Sequence, residues 1–396
     1  MRKKELRIVN FTLLFVMIAF GMLTFSLSSN AGYASIVKSW FIKEPRSVSE
    51  NSTIKCSNKP KLQLSSVVDK NIKMLDKYQE VCQSFVSNKL MYFTGFPKDK
   101  SAADNEAKIM ASKLKLYNSL NITPLVIVEP YIETGPMSYK KYLSGEYDKA
   151  VDEYFKLLKE QGVTDSIMGT WVPFPESNTP SWDNKDTEPR DFAIAVNKYL
   201  GSLKQVFPMA KGSILLNATT YEPSDLEYEN GDYLSLVPYL QDIDKKLIDS
   251  VGIQGFPWVS RANTSRREIF RASEFLQPDY AIEAAQELRT RDIWFNTGSF
   301  LSKYSSQPAQ KVVISPDDRK SIMSGIVDEL KKVQNYQQNQ YRVEVNIFAE
   351  DKTGVQEDTD WSYLTDEANK LIFIDFMTKL NELNIKTSIY DSATKD

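Results

Sequence analysis

Residues 124–178 read PLVIVEPYIETGPMSYKKYLSGEYDKAVDEYFKLLKEQGVTDSIMGTWVPFPESN. A short apolar run, Pro124–Tyr131, leads to a helix-patterned segment, Tyr147–Gln161, and then to a second short run, Ser166–Phe174. β-Branched and aromatic residues bounded by Pro and Gly suit buried strands, whereas apolar residues at three- and four-residue spacing suit a helix lying on a sheet. Strand, helix, strand is the unit that makes two strands parallel, because the chain must cross back over the sheet before it pairs again.

The same alternation continues in both directions. Upstream lie strand-like runs at Lys61–Ser65 and Leu90–Phe96, with helical segments at Val68–Asn88 and Ala102–Leu120. Downstream lie Lys211–Asn217, Asp249–Phe256, Asp292–Asn296 and Tyr341–Phe348, with helical segments at Asp191–Phe207, Asp317–Gln338 and Glu367–Leu383. Eight strand-like runs joined by helices predict an α/β chain closed into a (β/α)8 barrel, the TIM-barrel architecture. The competing doubly wound sheet would carry a glycine-rich phosphate loop after its first strand, and none follows here.

Three segments divide the chain. Residues 1–34 open with the basic MRKKELR and continue into a nearly uncharged run from Ile8 to Ser29, the pattern of a signal peptide or of a membrane anchor with its N-terminus inside. Residues 35–57 are polar and read as a linker, and residues 58–396 hold the barrel, with a polar tail from Asp391. Either form of the first segment places the barrel outside the cytoplasm, and an uncleaved helix makes the membrane a partner. Export permits a disulfide. Cys56, ahead of the first run, and Cys82, late in the first helix, both fall on the N-terminal face of such a barrel, and they are expected to be joined.

Composition removes much chemistry. The chain has no histidine and two cysteines, which excludes imidazole bases, His-assisted nucleophiles and thiolate metal centres. The 49 basic and 52 acidic residues leave a net charge of −3, without the basic surface that nucleic acid requires. The acidic stretches Asp183–Glu188 and Glu350–Asp360 lack calcium-loop spacing, so no metal and no cofactor are expected. What remains is chemistry by carboxylates, amides, hydroxyls and Lys.

Active sites of these barrels form at the C-terminal ends of the strands. Here those ends present Glu129 and Tyr131; Trp171, Glu176, Asn178 and, just beyond, Trp182; Tyr221 and Glu222; Phe256 and Trp258; Trp294 and Asn296; and Glu350 with Asp351. Tryptophan and tyrosine rings stack on the apolar faces of pyranoses, while carboxylates and amides bind their hydroxyls. The set therefore reads as a cleft for a polysaccharide or oligosaccharide, with a share of the rings packing between barrel and helices instead.

Leu143-Ser-Gly145-Glu-Tyr147-Asp148, the helix after it, and Trp171-Val-Pro-Phe-Pro-Glu176-Ser-Asn178-Thr-Pro-Ser-Trp182 resemble glycoside hydrolase family 26, the β-mannanases and related β-glucanases. Val251–Phe256 and Asp360-Trp361 resemble further segments of that family. The resemblance implies a general acid/base after strand four, at Glu176, with Asn178 binding or orienting substrate, and a nucleophile after strand seven, where Asn296 stands. The chain departs from the pattern there, since an amide cannot form a glycosyl ester, and Pro175 replaces the histidine ahead of the acid. Three accounts follow: another carboxylate, Glu350, Asp351, Glu222 or Glu129, replaces the nucleophile; Asn296 orients a 2-acetamido group; or the barrel binds glycan without cutting it and serves polysaccharide assembly or export.

Overall fold

Eight parallel strands form one sheet, hydrogen-bonded in chain order: β1 (Lys89–Thr94), β2 (Thr123–Val128), β3 (Thr170–Pro173), β4 (Lys211–Asn217), β5 (Ser250–Gln254), β6 (Asp292–Thr297), β7 (Arg342–Phe348) and β8 (Lys386–Tyr390). Just ahead of β1, Val86 pairs in parallel with Thr387 of β8, and the Ser87 N–H donates to the Thr387 carbonyl at 2.6 Å. That contact brings the two ends of the sheet together as a nearly closed (β/α)8 barrel. The computed structural model describes residues 69–82, 86–132, 135–178, 188–218, 236–257, 272–299, 302–304, 311–337, 341–349, 359–360 and 362–390, all within the compact unit Cys56–Asp396.

The helices are α1 (Lys70–Cys82), α2 (Lys100–Ser119), α3 (Asp148–Glu160), α4 (Pro189–Val206), α5 (Pro278–Leu288), α6 (Pro316–Asn335) and α7 (Glu367–Glu382), with shorter turns between them. Their starts are set by the sequence. Asp99, Ser315 and Asp366 each accept a hydrogen bond from the main-chain N–H three residues on, which satisfies a donor that the first helical turn leaves unpaired.

The strand count corrects the sequence reading. Lys61–Ser65, expected to form the first strand, lies outside the described residues, and the eight strands of the sheet begin at Lys89. Its eighth strand is Lys386–Tyr390, a stretch with no apolar alternation. Thr387, Ser388 and Ile389 are all buried, and the Ser388 hydroxyl donates to Asn346 Oδ1 on β7. A strand whose inward face meets polar neighbours carries no hydrophobic period. Consequently α1 precedes the first barrel strand and packs against β8 and α7. The segments 1–34 and 35–57 lie outside the described residues, as do Cys56 and the side chain of Cys82, so the predicted disulfide falls there too.

Two apolar layers hold the barrel. The larger lies between strands and helices, and the smaller fills the barrel with Met91, Leu125, Ile127, Val172, Leu215 and Trp294. The two tryptophans expected to stack on sugars belong to these layers. Trp171 is fully buried on the outer side of β3, edge-on to Tyr154 and Phe155 of α3, and its Nε1 donates to the Met168 carbonyl at 2.9 Å. Trp294 is 2% exposed and plugs the barrel, its Nε1 donating to Ser213 Oγ at 2.9 Å. Its indole lies against Gly252 of β5, where a Cβ would overlap the ring, which is why the neighbouring strand carries glycine at that register. Burial of a whole indole with its N–H satisfied is a packing role, so both rings are withdrawn from the predicted cleft.

Candidate active site at the barrel mouth

The turn that follows β3, Phe174-Pro175-Glu176-Ser177-Asn178, is the most tightly specified part of the mouth. Phe174 (φ 55°) and Glu176 (φ 58°) both occupy the left-handed region, which costs a residue with a Cβ about 1–2 kcal/mol. Main-chain docking offsets that strain. The Phe174 N–H donates to the Val128 carbonyl at 2.9 Å and the Glu176 N–H to the Leu215 carbonyl at 2.8 Å, pinning the turn to β2 on one side and β4 on the other. Ser177 Oγ donates to the Phe174 carbonyl and receives Tyr139 OH, each at 2.8 Å.

Asn178 completes the lock. Its Nδ2 donates to the Asn217 carbonyl at 2.8 Å, and its Oδ1 accepts the Asn217 N–H at 2.9 Å. The side-chain amide thus pairs with β4 as a further strand residue would. Asn178 is 5% exposed and both its polar atoms are engaged, so its place is beneath the acidic turn, and the substrate-contacting role expected from the sequence is corrected.

Glu176 is held over the mouth by a row of amides. Asn217, Gln254, Asn296 and Asn346 are register partners on β4, β5, β6 and β7, and Ser388 continues the row on β8. Each stands two residues beyond the level of Leu215, Gly252 and Trp294, so the row roofs the apolar plug on the inward face. Asn296 Nδ2 donates to Gln254 Oε1 at 2.6 Å, Gln254 Nε2 to Asn217 Oδ1 at 3.1 Å, and Asn217 Nδ2 to Glu176 Oε2 at 3.2 Å. Gln254 also bonds the Glu176 carboxyl directly. Every link donates toward the acid.

Burial pushes the Glu176 carboxyl above the usual carboxylate range, and the hydrogen bonds from Gln254 and Asn217 oppose that shift without cancelling it. The residue still keeps a partly exposed surface. A carboxyl that burial makes hold its proton more tightly than an ordinary glutamate, fixed in orientation at the open end of a barrel, is suited to protonate a leaving oxygen.

Phe93, Phe256 and Phe348 reach the same end with part of their surface exposed, and the Phe256 and Phe348 rings meet edge to face at 5.9 Å. Glu129 and Tyr131, both partly exposed, follow β2. The Glu129 N–H donates to the Thr94 carbonyl, and Tyr131 opens a short ladder with Pro136. Of the predicted site, the mouth therefore assembles Glu176, Asn296, Phe256, Glu129 and Tyr131. Trp182, Tyr221, Glu222, Trp258 and Glu350 lie outside the described residues.

The strand count also moves the acid and the expected nucleophile position. Glu176 follows the third barrel strand and Asn296 ends the sixth, one place earlier than the fourth and seventh positions inferred from the family resemblance. The sequence reading gave no role to Gln254, Asn217 or Asn346, although each stands near a strand end. Their signal was available: four successive strands each carry an amide at or near the C-terminal end. Also missed was Arg319, fully buried, whose guanidinium lies over the Tyr363 ring at 4.2 Å and donates to the Ser299 carbonyl at 2.7 Å, fixing the chain where it leaves β6.

No protein-family model matches the chain, and no curated protein sequence matches it. Among solved structures it is similar to a β-glucosidase from Thermotoga maritima in complex with deoxynojirimycin, with 11% identity, 81% of this chain and 90% of that chain covered, and a TM-score of 0.43. It is also similar to an exo-β-1,4-mannosidase from Opitutaceae bacterium strain TAV5 (11% identity, 78% of this chain and 55% of that chain, TM-score 0.48). A third is an endo-1,4-β-D-mannanase from Thermotoga petrophila RKU-1 (12% identity, 76% and 93%, TM-score 0.43). At these identities the likeness concerns the barrel alone.

Proposed function

We propose that this barrel acts on a β-linked polysaccharide or oligosaccharide, with Glu176 as the general acid. One observation carries the reading: the Glu176 carboxyl, raised above its ordinary range by burial, is held by two amide donors at the C-terminal mouth of the barrel. In the proposed step the Glu176 O–H gives its proton to the glycosidic oxygen as the bond from that oxygen to the anomeric carbon breaks. Water adds to the anomeric carbon and passes its proton to a second carboxylate. We assign that role to Glu350, because it follows Ala349 directly after β7, the strand paired with β6, which carries the substituted position expected to hold a nucleophile. The sequence of residues 1–34 supports action outside the cytoplasm, attached to the membrane where that segment is retained.

A second reading has its own support. Asn296 is an amide committed to Gln254, and a mouth so rich in amides suits recognition of a glycan without cleavage. Hydrolysis assays on mannan, mixed-linkage glucan and N-acetylated glycans separate the two. Release of reducing ends by the wild type, abolished in Glu176→Gln and in Glu350→Gln, is the result expected of an enzyme. Turnover that survives Glu176→Gln would remove the assignment of the acid, and binding without turnover would leave a glycan-binding protein.

A further inference from the structure

The hydrolytic reading leaves two atoms of the amide row unused. Asn296 Oδ1 and Asn346 Nδ2 are buried without a hydrogen-bond partner, and each residue is 1% exposed. The two residues are register partners on β6 and β7. Their other atoms are committed: Asn296 Nδ2 donates to Gln254 Oε1, and Asn346 Oδ1 accepts the Ser388 hydroxyl. Those bonds fix what is left over, an acceptor on one strand and a donor on the next. Buried polar groups in folded chains are nearly always paired, so two complementary orphans side by side, next to the amide that contacts the acid, point to an occupant.

We propose that Asn296 and Asn346 form a subsite for the acetamido group of an N-acetylated sugar bound beside Glu176. This rests on the glycan-acting reading above and narrows its substrate. The N–H of the acetamido group would donate to Asn296 Oδ1, and its carbonyl would accept from Asn346 Nδ2. Its methyl group would meet Phe348, which stands two residues nearer the mouth on the same face of β7 and packs edge to face with Phe256. A sugar hydroxyl would satisfy the two amides but has no use for the rings. Acceptor, donor and aromatic wall together match an acetamido group. Asn296 and Asn346 are each 1% exposed, so a neighbouring side chain must move aside to admit the group.

The test compares three glycans of equal length by calorimetry with the full chain: an N-acetylchitooligosaccharide, its de-N-acetylated counterpart and a cello-oligosaccharide. The subsite predicts at least ten-fold tighter binding of the N-acetylated form than of either other glycan. Asn346→Asp keeps the acceptor for Ser388 but replaces the free donor with an acceptor, and it should bring that ratio toward one. Asn296→Asp, which preserves the acceptor, should retain the preference better than Asn346→Asp does, and an unchanged melting temperature certifies each fold. Equal binding of all three glycans, or preference for a non-acetylated one, would overturn the subsite while leaving the glycan reading standing. Failure of all three to bind would overturn both.

Discussion

Asn178 and Asn217 are joined through both atoms of one side-chain amide and both main-chain polar groups of the other residue, at 2.8 and 2.9 Å. The consequence is positional. Asn217 is the residue whose Nδ2 reaches the Glu176 carboxyl, so the clamp sets the acid turn and the amide beneath it in one rigid unit. Rigid support of this kind is what keeps a reacting group within reach of its target.

Asn178→Ala is therefore expected to cost about 1–3 kcal/mol of stability, the range for two lost hydrogen bonds whose main-chain partners stay buried. Urea denaturation measures it. Glycan turnover should fall through kcat more than through KM, because Asn178 touches the turn and not the cleft. A variant with unchanged stability would show that the main-chain groups of Asn217 find other partners, and that the clamp is dispensable.

Glu176 predicts a pH dependence of definite sign. Its folded pKa is raised by burial, so between the unfolded and folded values the native state holds a proton that the unfolded chain has released. Stability attributable to this group then falls as pH rises through that window, with a slope of at most about 1.4 kcal/mol per pH unit for one proton. Glu176→Gln removes the term. The variant should be more stable than wild type at neutral pH and indistinguishable from it well below the unfolded pKa, as thermal melts across pH will show. Catalysis should follow the same group, with kcat falling as pH climbs past the raised value.

Most of the barrel could be read from the sequence because most of its strands are apolar on one or both faces. Leu125, Val126, Ile127 and Val128 are all buried, and such runs announce themselves. β8 could not be read this way, since Ser388 spends its inward position on Asn346, and the miss shifted every strand number by one. The site was legible in part. Glu176 stood out as a carboxylate at a strand end, but Trp171 and Trp294 were misplaced, because a tryptophan near a strand end looks the same in sequence whether it faces sugar, helix or plug. Only the register on Gly252 distinguishes the plug. The amides at 217, 254, 296 and 346 were visible one by one, yet nothing in a linear reading says that they share a single level.

That packing makes Gly252 and Trp294 a coupled pair. Gly252→Ala should cost about 1–3 kcal/mol, as overpacking in a filled core does, because the added methyl meets the indole. Trp294→Phe frees space but loses the bond to Ser213 Oγ. The double variant should be less destabilised than the two single effects added together, a coupling that chemical denaturation of all four chains would reveal. Trp294→Phe should leave glycan affinity unchanged, and a ten-fold loss would return the ring to the cleft.

At the other end of the barrel, Glu344 predicts the opposite pH slope. Burial alone would raise its pKa, but Lys89, Lys386 and Lys211 outweigh that effect and hold the carboxyl below its ordinary value, with Lys89 Nζ 2.6 Å from Oε2. A depressed carboxylate contributes stability that is fully present above the unfolded pKa and is lost as pH falls through the folded one. Glu344→Gln should accordingly destabilise the chain by about 1 kcal/mol near neutrality, an amount typical of a pair that retains some exposure. The cost should shrink with added salt and disappear in acid. Melting curves of this variant and of Glu176→Gln should therefore diverge from wild type in opposite directions at neutral pH and converge with it at low pH. Parallel shifts of the two would contradict the assignment of one glutamate to a desolvated mouth and the other to a cationic base.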